Sequence, residues 1–178
     1  IQNSCNDGMM AIGRKMGASL LLDYQSRFNF GSRTGIDLPN ESSGAIYSLD
    51  QMKDMELAST TFGQGFTSTM IQEISAMSAV INGGTYYQPH VVKEIKSQED
   101  GSVLKTNEGN VLKQIISSDV SEKVREYMGM SVKYGTSRKS KVQGYSMGGK
   151  TGTAEILSTA EKDYLVSFIG FAPLDTPQ

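Results

Sequence analysis

Eight consecutive positions, Gly148-Gly149-Lys150-Thr151-Gly152-Thr153-Ala154-Glu155, hold one lysine, two threonines and three glycines. An ammonium and two hydroxyls can hold an anion, and residues without a Cβ let a backbone approach it closely. Two chemistries use such a segment. In serine acyl transfer, a Lys-Thr-Gly is one of the signature motifs. In phosphate binding, a G-x-x-x-x-G-K-T loop cradles the ligand, and Gly144 to Thr151 fits that pattern letter for letter. Far upstream, Ser4-Cys5-Asn6 offers a hydroxyl and a carboxamide at the Ser-x-Asn spacing that accompanies Lys-Thr-Gly.

The flanks of the segment separate the two chemistries. A phosphate loop needs an apolar parallel strand before its first glycine and a helix beginning at the Lys-Thr. Lys141-Val142-Gln143 is too short and polar for that strand, and Gly152 would fall in the first helical turn. Asp175, behind Pro173, is not placed as a magnesium partner. Acyl transfer asks instead for an edge strand, a turn and a return strand. Ser146 to Glu155, a polar turn over Ser158 to Asp163 and the apolar run Tyr164 to Phe171 fit that description, with the last strand expected to be mostly buried. The P-loop nucleotide binder is therefore the remote alternative.

Composition narrows the classes further. The chain has 178 residues, 38% hydrophobic and 20% charged, enough for one domain with a core. A net charge of −2 gives no reason to expect nucleic acid as a partner. No apolar run reaches the roughly 20 residues of a membrane span. One cysteine, Cys5, rules out an internal disulfide and argues against a structural zinc site. A Ser-His-Asp or Cys-His enzyme would have to use the single histidine, His90, which follows Pro89 in strand-like sequence and reads as a strand residue. The chain opens at Ile1 inside structured-looking sequence, without a signal-like segment, and is expected to be a piece of a longer one.

Several elements must position these residues. Ser4 is spaced to cap a helix running to about Gly17, and capping is the bland reading of its hydroxyl. A second helix is expected from Ser19 to about Phe28. Asn29 to about Asp54 reads as one long connection, a length that usually has a functional reason. After Thr60-Thr61-Phe62-Gly63-Gln64-Gly65-Phe66, a helix capped by Thr67 or Ser68 carries the stripe Met70, Ile71, Ile74, Met77, Val80 and Ile81, ended by Asn82-Gly83-Gly84. Val91 to Ile95, a turn at Asp100-Gly101, Val103-Leu104 and Val111 to Ile116 read as strands. Ser118-Asp119 caps a long helix with Val120, Val124, Tyr127, Met128 and Val132 inward, closed by Gly135. Arg138, Lys139 and Lys141 then mark a solvated loop.

Taken together, Asn3-Ser4-Cys5-Asn6, Phe62-Gly63-Gln64-Gly65, Asn82-Gly83-Gly84-Thr85-Tyr86, Tyr134-Gly135-Thr136, Gly149 to Glu155 and Phe168-Ile169-Gly170-Phe171-Ala172-Pro173 resemble the transpeptidase domain of class B penicillin-binding proteins, of the division or sporulation type. The resemblance covers nearly the whole chain. It implies an α+β fold of the β-lactamase/transpeptidase type, an antiparallel sheet with a helical subdomain, here incomplete and with exposed sheet edges, over residues 1–178. It implies a D,D-transpeptidase that cross-links peptidoglycan stem peptides ending in D-Ala-D-Ala and is acylated by β-lactams, without a metal or organic cofactor.

By the resemblance, Ser4 relays a proton to the leaving group and Asn6 orients the substrate amide. Lys150 supplies positive potential. Thr151 and Thr153 bind the substrate carboxylate, the Thr153 N–H forms half of an oxyanion hole, and Gly152 lets substrate lie against the strand. Gln64 lines or supports the cleft. Division or sporulation glycosyltransferases are further partners it allows, and the whole protein is expected to be membrane-anchored with this domain outside the cytoplasmic membrane. The nucleophile motif Ser-x-x-Lys is expected upstream of Ser-x-Asn. The one formal match, Ser102-Val103-Leu104-Lys105, stands in the wrong order behind a hairpin turn, so the 178 residues alone are expected to be inactive. Rival readings are a serine β-lactamase or D,D-carboxypeptidase and a non-catalytic sensor or interaction module of the same fold.

Overall fold

The computed structural model describes residues 1–156 and 162–177. Helix α1 (Asn6–Met16) begins behind Cys5, and no side chain caps it. The expected Ser4 cap is thus corrected. Ser4 takes a left-handed φ of 51°, a conformation that costs a non-glycine residue on the order of 1 kcal/mol and turns it out of the helix. Helix α2 (Ala18–Arg27) follows directly.

From 28 to 53 the chain forms no helix or strand, as its punctuation predicts, and one isolated bridge joins Ala45 to Thr67. Two side chains order it, one half-buried and one buried. The Glu41 carboxylate accepts from the Thr34 N–H and hydroxyl and from the Gly35 N–H. The carboxamide of Gln72, fully buried, donates to the carbonyls of Asn29, Ser32 and Ser43 at 3.0, 2.8 and 2.8 Å.

Helix α3 (Asp54–Thr61) was not legible in the sequence. It is short, with a serine and threonines where a stripe would need apolar residues. Asp54 and Glu56 favour its positive N-terminal end. Thr61 packs on Gly13 of α1, where a Cβ would collide with it.

Helix α4 (Met70–Ile81) is capped by Thr69, not by Thr67 or Ser68, in a capping box with Gln72. Its expected apolar stripe is only partly inward: Met70 is 90% and Ile74 51% exposed. The buried side is Gln72, Ser75, Ala76 and Ala79, whose small members let the Tyr86 ring pack close. The C-terminal half of the stripe does face the core, with Met77, Val80 and Ile81 against Met128 and Phe171.

Strand β1 (Thr85–Gln88) pairs antiparallel with β4 (Asn110–Gln114), and between them β2 (Glu94–Lys96) and β3 (Val103–Thr106) form a hairpin around Gly101. The strand expected over Val91 to Ile95 starts only at Glu94. The N–H groups of Val91 and Val92 bond the Asp37 carboxylate at 2.7 and 2.9 Å, so no neighbouring strand receives them.

Helix α5 (Ser118–Tyr134) is capped by Ser117 in place of Ser118-Asp119. Met128 and Val132 are inward as expected, but Val120 and Tyr127 are 46% and 43% exposed. Ser121, Gly129 and Ser131 complete the inner side, because α5 lies close against both α4 and the following hairpin.

That hairpin, β5 (Gly148–Ile156) with β6 (Asp163–Phe171), pairs in unbroken register from Gly148↔Phe171 to Ile156↔Asp163. Most of the polar turn expected over Ser158 to Asp163 lies outside the described residues. The expectation that the last strand is mostly buried is overturned: Tyr164, Leu165, Val166 and Phe168 are exposed and Phe171 alone is buried. Among the described residues β5 is the single neighbour of β6, so no second layer covers its outer end.

Candidate active site

The ladder with β6 decides which way each backbone group of β5 points. Thr151 turns away from it: its N–H donates to Ser137 Oγ at 3.2 Å and its carbonyl accepts the Lys150 ammonium at 2.6 Å. Backbone groups alternate along an antiparallel strand, so Thr153 presents its N–H to the same free side. Lys150 and Thr151 continue as strand through Ile156, and no helix opens behind them. A phosphate loop cannot form on that geometry.

The loop after α5 runs beside this free edge. Thr136 Oγ1 accepts from Thr151 Oγ1 at 3.4 Å, while the Thr136 N–H donates to the Gln2 carbonyl at 3.1 Å. At Gly135 a Cβ would collide with that same carbonyl. The first residues of the chain are thereby laid against β5. Lys150 Nζ donates to Ser4 Oγ at 3.0 Å, across 146 positions of sequence. The left-handed turn at Ser4 frees the hydroxyl for this contact and explains why it caps nothing.

Burial holds the Lys150 ammonium below its ordinary value of 10.5. Among the described residues it makes no ion pair; the two salt bridges join Arg27 to Asp23 and Lys96 to Glu94. The site thus carries a positive charge beside hydroxyls, with no carboxylate paired to it among the described residues, and suits an anionic ligand.

The other expected residues are placed as follows. Asn6 is the first residue of α1, exposed and two positions from Ser4. Gly152 has room beside it only up to Ser167 Oγ, which a Cβ would meet at 2.7 Å. Thr153 is exposed. Gln64 makes no hydrogen bond to Ser4, Lys150 or Thr151 among the described residues. It follows α3, whose end packs at Gly13, about 10 Å along α1 from its start, and its N–H bonds the Ser59 carbonyl. Ser102 sits in the β2–β3 hairpin with its hydroxyl on Asp100. His90 is exposed. No group of three or more His, Cys, Asp or Glu among the described residues is arranged for a metal.

Sequence reasoning placed Thr136 within Tyr134-Gly135-Thr136 but gave it no role, and it missed Ser131 and Ser137. Ser131 and Ser137 are fully buried, and Ser131 donates to Ser137 at 3.0 Å. The available signal was a serine continuing the inward face of α5 next to Val132, where a packed helix would place an apolar residue.

Small antiparallel sheets flanked by helices, with a Lys-Thr-Gly strand facing a Ser-x-Asn helix start, define a transpeptidase-type fold. Penicillin-binding protein 3 of Mycobacterium tuberculosis, solved with aztreonam, superposes with a TM-score of 0.89 at 28% identity, over 99% of this chain and 42% of that one. The chain belongs to the penicillin-binding protein transpeptidase family: the profile described as penicillin binding protein transpeptidase domain matches residues 1–178. It is 41% identical to stage V sporulation protein D of Bacillus subtilis, over 99% of this chain and 28% of that protein. It is 30% identical to the peptidoglycan D,D-transpeptidase MrdA of Acinetobacter baumannii, over 98% of this chain and 29% of that protein. The chain thus spans less than a third of the length of these relatives.

Proposed function

We propose that these residues supply the substrate-anchoring half of a peptidoglycan D,D-transpeptidase site, and that a serine outside them is the nucleophile. The observation that carries this is the Lys150–Ser4 contact on the free edge of β5. The nucleophilic serine oxygen bonds the carbonyl carbon of the penultimate D-Ala. The nucleophile's proton goes to a base beside it outside these residues, and the bond to the terminal D-Ala nitrogen breaks. That proton reaches the leaving nitrogen by way of the Ser4 hydroxyl, which gives one proton and takes one up. An amine of a second stem peptide then takes the acyl group and releases the serine. Thr151 and Thr153 hold the substrate carboxylate, Lys150 adds positive potential, Asn6 orients the amide and the Thr153 N–H faces the developing oxyanion. Gly152 leaves room for substrate to lie along β5 as an added strand. Gln64 lines or supports the cleft. β-Lactams enter the same path and stay as acyl-enzymes.

In this reading residues 1–178 are part of a transpeptidase domain held outside the cytoplasmic membrane by an anchor elsewhere in the protein. No described helix is long and apolar enough to cross a membrane. The test is an intact-mass spectrum after incubation with a penicillin, on the 178-residue chain and on the longer protein that carries it. The longer protein gains one drug mass and the short chain none. Acylation of the short chain would overturn the assignment of the nucleophile. Rapid loss of the adduct with drug turnover would make the protein a β-lactamase or carboxypeptidase, and no adduct on either would make it a non-catalytic module.

The depressed Lys150 ionisation sets a pH dependence. The ammonium that holds the carboxylate loses its proton below the ordinary 10.5, so binding of an anionic penicillin weakens at a lower pH than a free lysine would allow. Lys150→Arg, which stays charged, removes that alkaline limb while altering the geometry. The half-saturating penicillin concentration between pH 7 and 10 reads it directly. Identical profiles for the two proteins would contradict the role of Lys150.

A further inference from the structure

Two hydroxyls that belong to no motif lie under the free edge of β5. Ser131 and Ser137 are both 0% exposed. Ser137 Oγ accepts from Ser131 Oγ at 3.0 Å and from the Thr151 N–H at 3.2 Å. A buried strand N–H ordinarily finds a carbonyl on a neighbouring strand. Here a side-chain oxygen takes that place and closes the edge at Thr151, while the next N–H on that side, that of Thr153, stays open beside an exposed side chain. The Thr151 peptide is then held at both ends, its N–H by Ser137 and its carbonyl by Lys150, whose remaining contact is Ser4. Ser137 also follows Thr136, which bonds Gln2 on one side and Thr151 on the other.

We propose that Ser137 is a positioning residue of the acyl-transfer site: its buried hydroxyl fixes the Thr151 peptide, and through it the Lys150 ammonium, in register with the segment that carries Ser4. The proposal rests on the acyl-transfer reading above. A serine suits the place because one hydroxyl oxygen accepts two hydrogen bonds and still has a proton free to rotate. Alanine would leave the half-buried Thr151 N–H without its partner, and a free strand edge would be able to shift.

The experiment is the saturation kinetics of acylation by a fluorescent penicillin, on the complete protein that carries this chain, as wild type, Ser137→Ala and Ser131→Ala. Ser137→Ala raises the half-saturating concentration by up to about tenfold, the upper end of what one hydrogen bond contributes. The amount labelled at completion stays at the wild-type level. Ser131→Ala changes the same constant by less than about threefold, because the Thr151 N–H keeps its acceptor. A merely structural serine would lower the melting temperature or the labelled amount and leave the constants of the labelled fraction unchanged; that result overturns the proposal. Equal losses in the two variants overturn it as well, since the effect would then lie in packing under α5. A wild-type protein that takes no label at all defeats the acyl-transfer reading, and this proposal with it.

Discussion

Lys150→Ala lowers the acylation rate of the complete protein about 10²–10³-fold, the range for deleting one preorganised electrostatic contact in a site. The lysine is the only charged member of the group formed with Ser4, Thr151, Thr136 and Ser137. Charge-assisted hydrogen bonds are roughly twice as strong as neutral ones, and no second cation of this group replaces it. Stability should move the other way or not at all. Burial lowers the Lys150 pKa in the folded protein, so folding disfavours the protonated form. That cost is fully present below the folded pKa and fades as pH rises toward the unfolded value of 10.5. Alanine removes it at neutral pH. The expected result is an inactive protein with an unchanged or slightly higher melting temperature. An acylation rate within threefold of wild type would remove Lys150 from the site.

Gln72→Ala destabilises the fold by about 3–4 kcal/mol. The carboxamide nitrogen serves three carbonyls of the connection, and its oxygen accepts the Thr69 N–H at 2.8 Å to close the capping box of α4. This one side chain draws together Asn29, Ser32, Ser43 and Thr69. At this chain length the loss corresponds to a drop of about 10 °C in melting temperature. Gln72→Glu separates chemistry from volume. It keeps the shape but turns an acceptor toward three carbonyls, so it is at least as damaging as alanine. A glutamate variant as stable as wild type would mean that the hydrogen bonds contribute little and that packing holds the segment.

The comparison of sequence and structure turns on which residues carry a pattern. Lys-Thr-Gly and Ser-x-Asn were legible because their chemistry fixes residue type and spacing, and the flanks of Gly148 to Glu155 told a strand from a phosphate loop. The structure brings Lys150 and Ser4 together across 146 positions. Caps were misplaced by one or two residues at Thr69 and Ser117, where several adjacent hydroxyls offer the same signal. Inward faces failed more instructively. Periodicity ranks residues by hydrophobicity, whereas α4 buries Gln72, Ser75, Ala76 and Ala79 because close approach needs small side chains and one amide has a structural task. Ser137 was invisible for a related reason: its role comes from the fold's placing it under β5, and no spacing encodes that.

The two halves of the site are made at very different moments. Ser4 and Lys150 are separated by 146 positions, which at roughly 5–20 residues per second corresponds to roughly 7–30 s of synthesis. During that interval α1 can form, but the strand that bonds Ser4 does not yet exist. Contacts of such long range also pay their loop-closure entropy late in folding. The Ser4 hydroxyl therefore has no Lys150 to meet until the strand that carries it is made, and a ribosome stalled before β5 would display a chain without this contact.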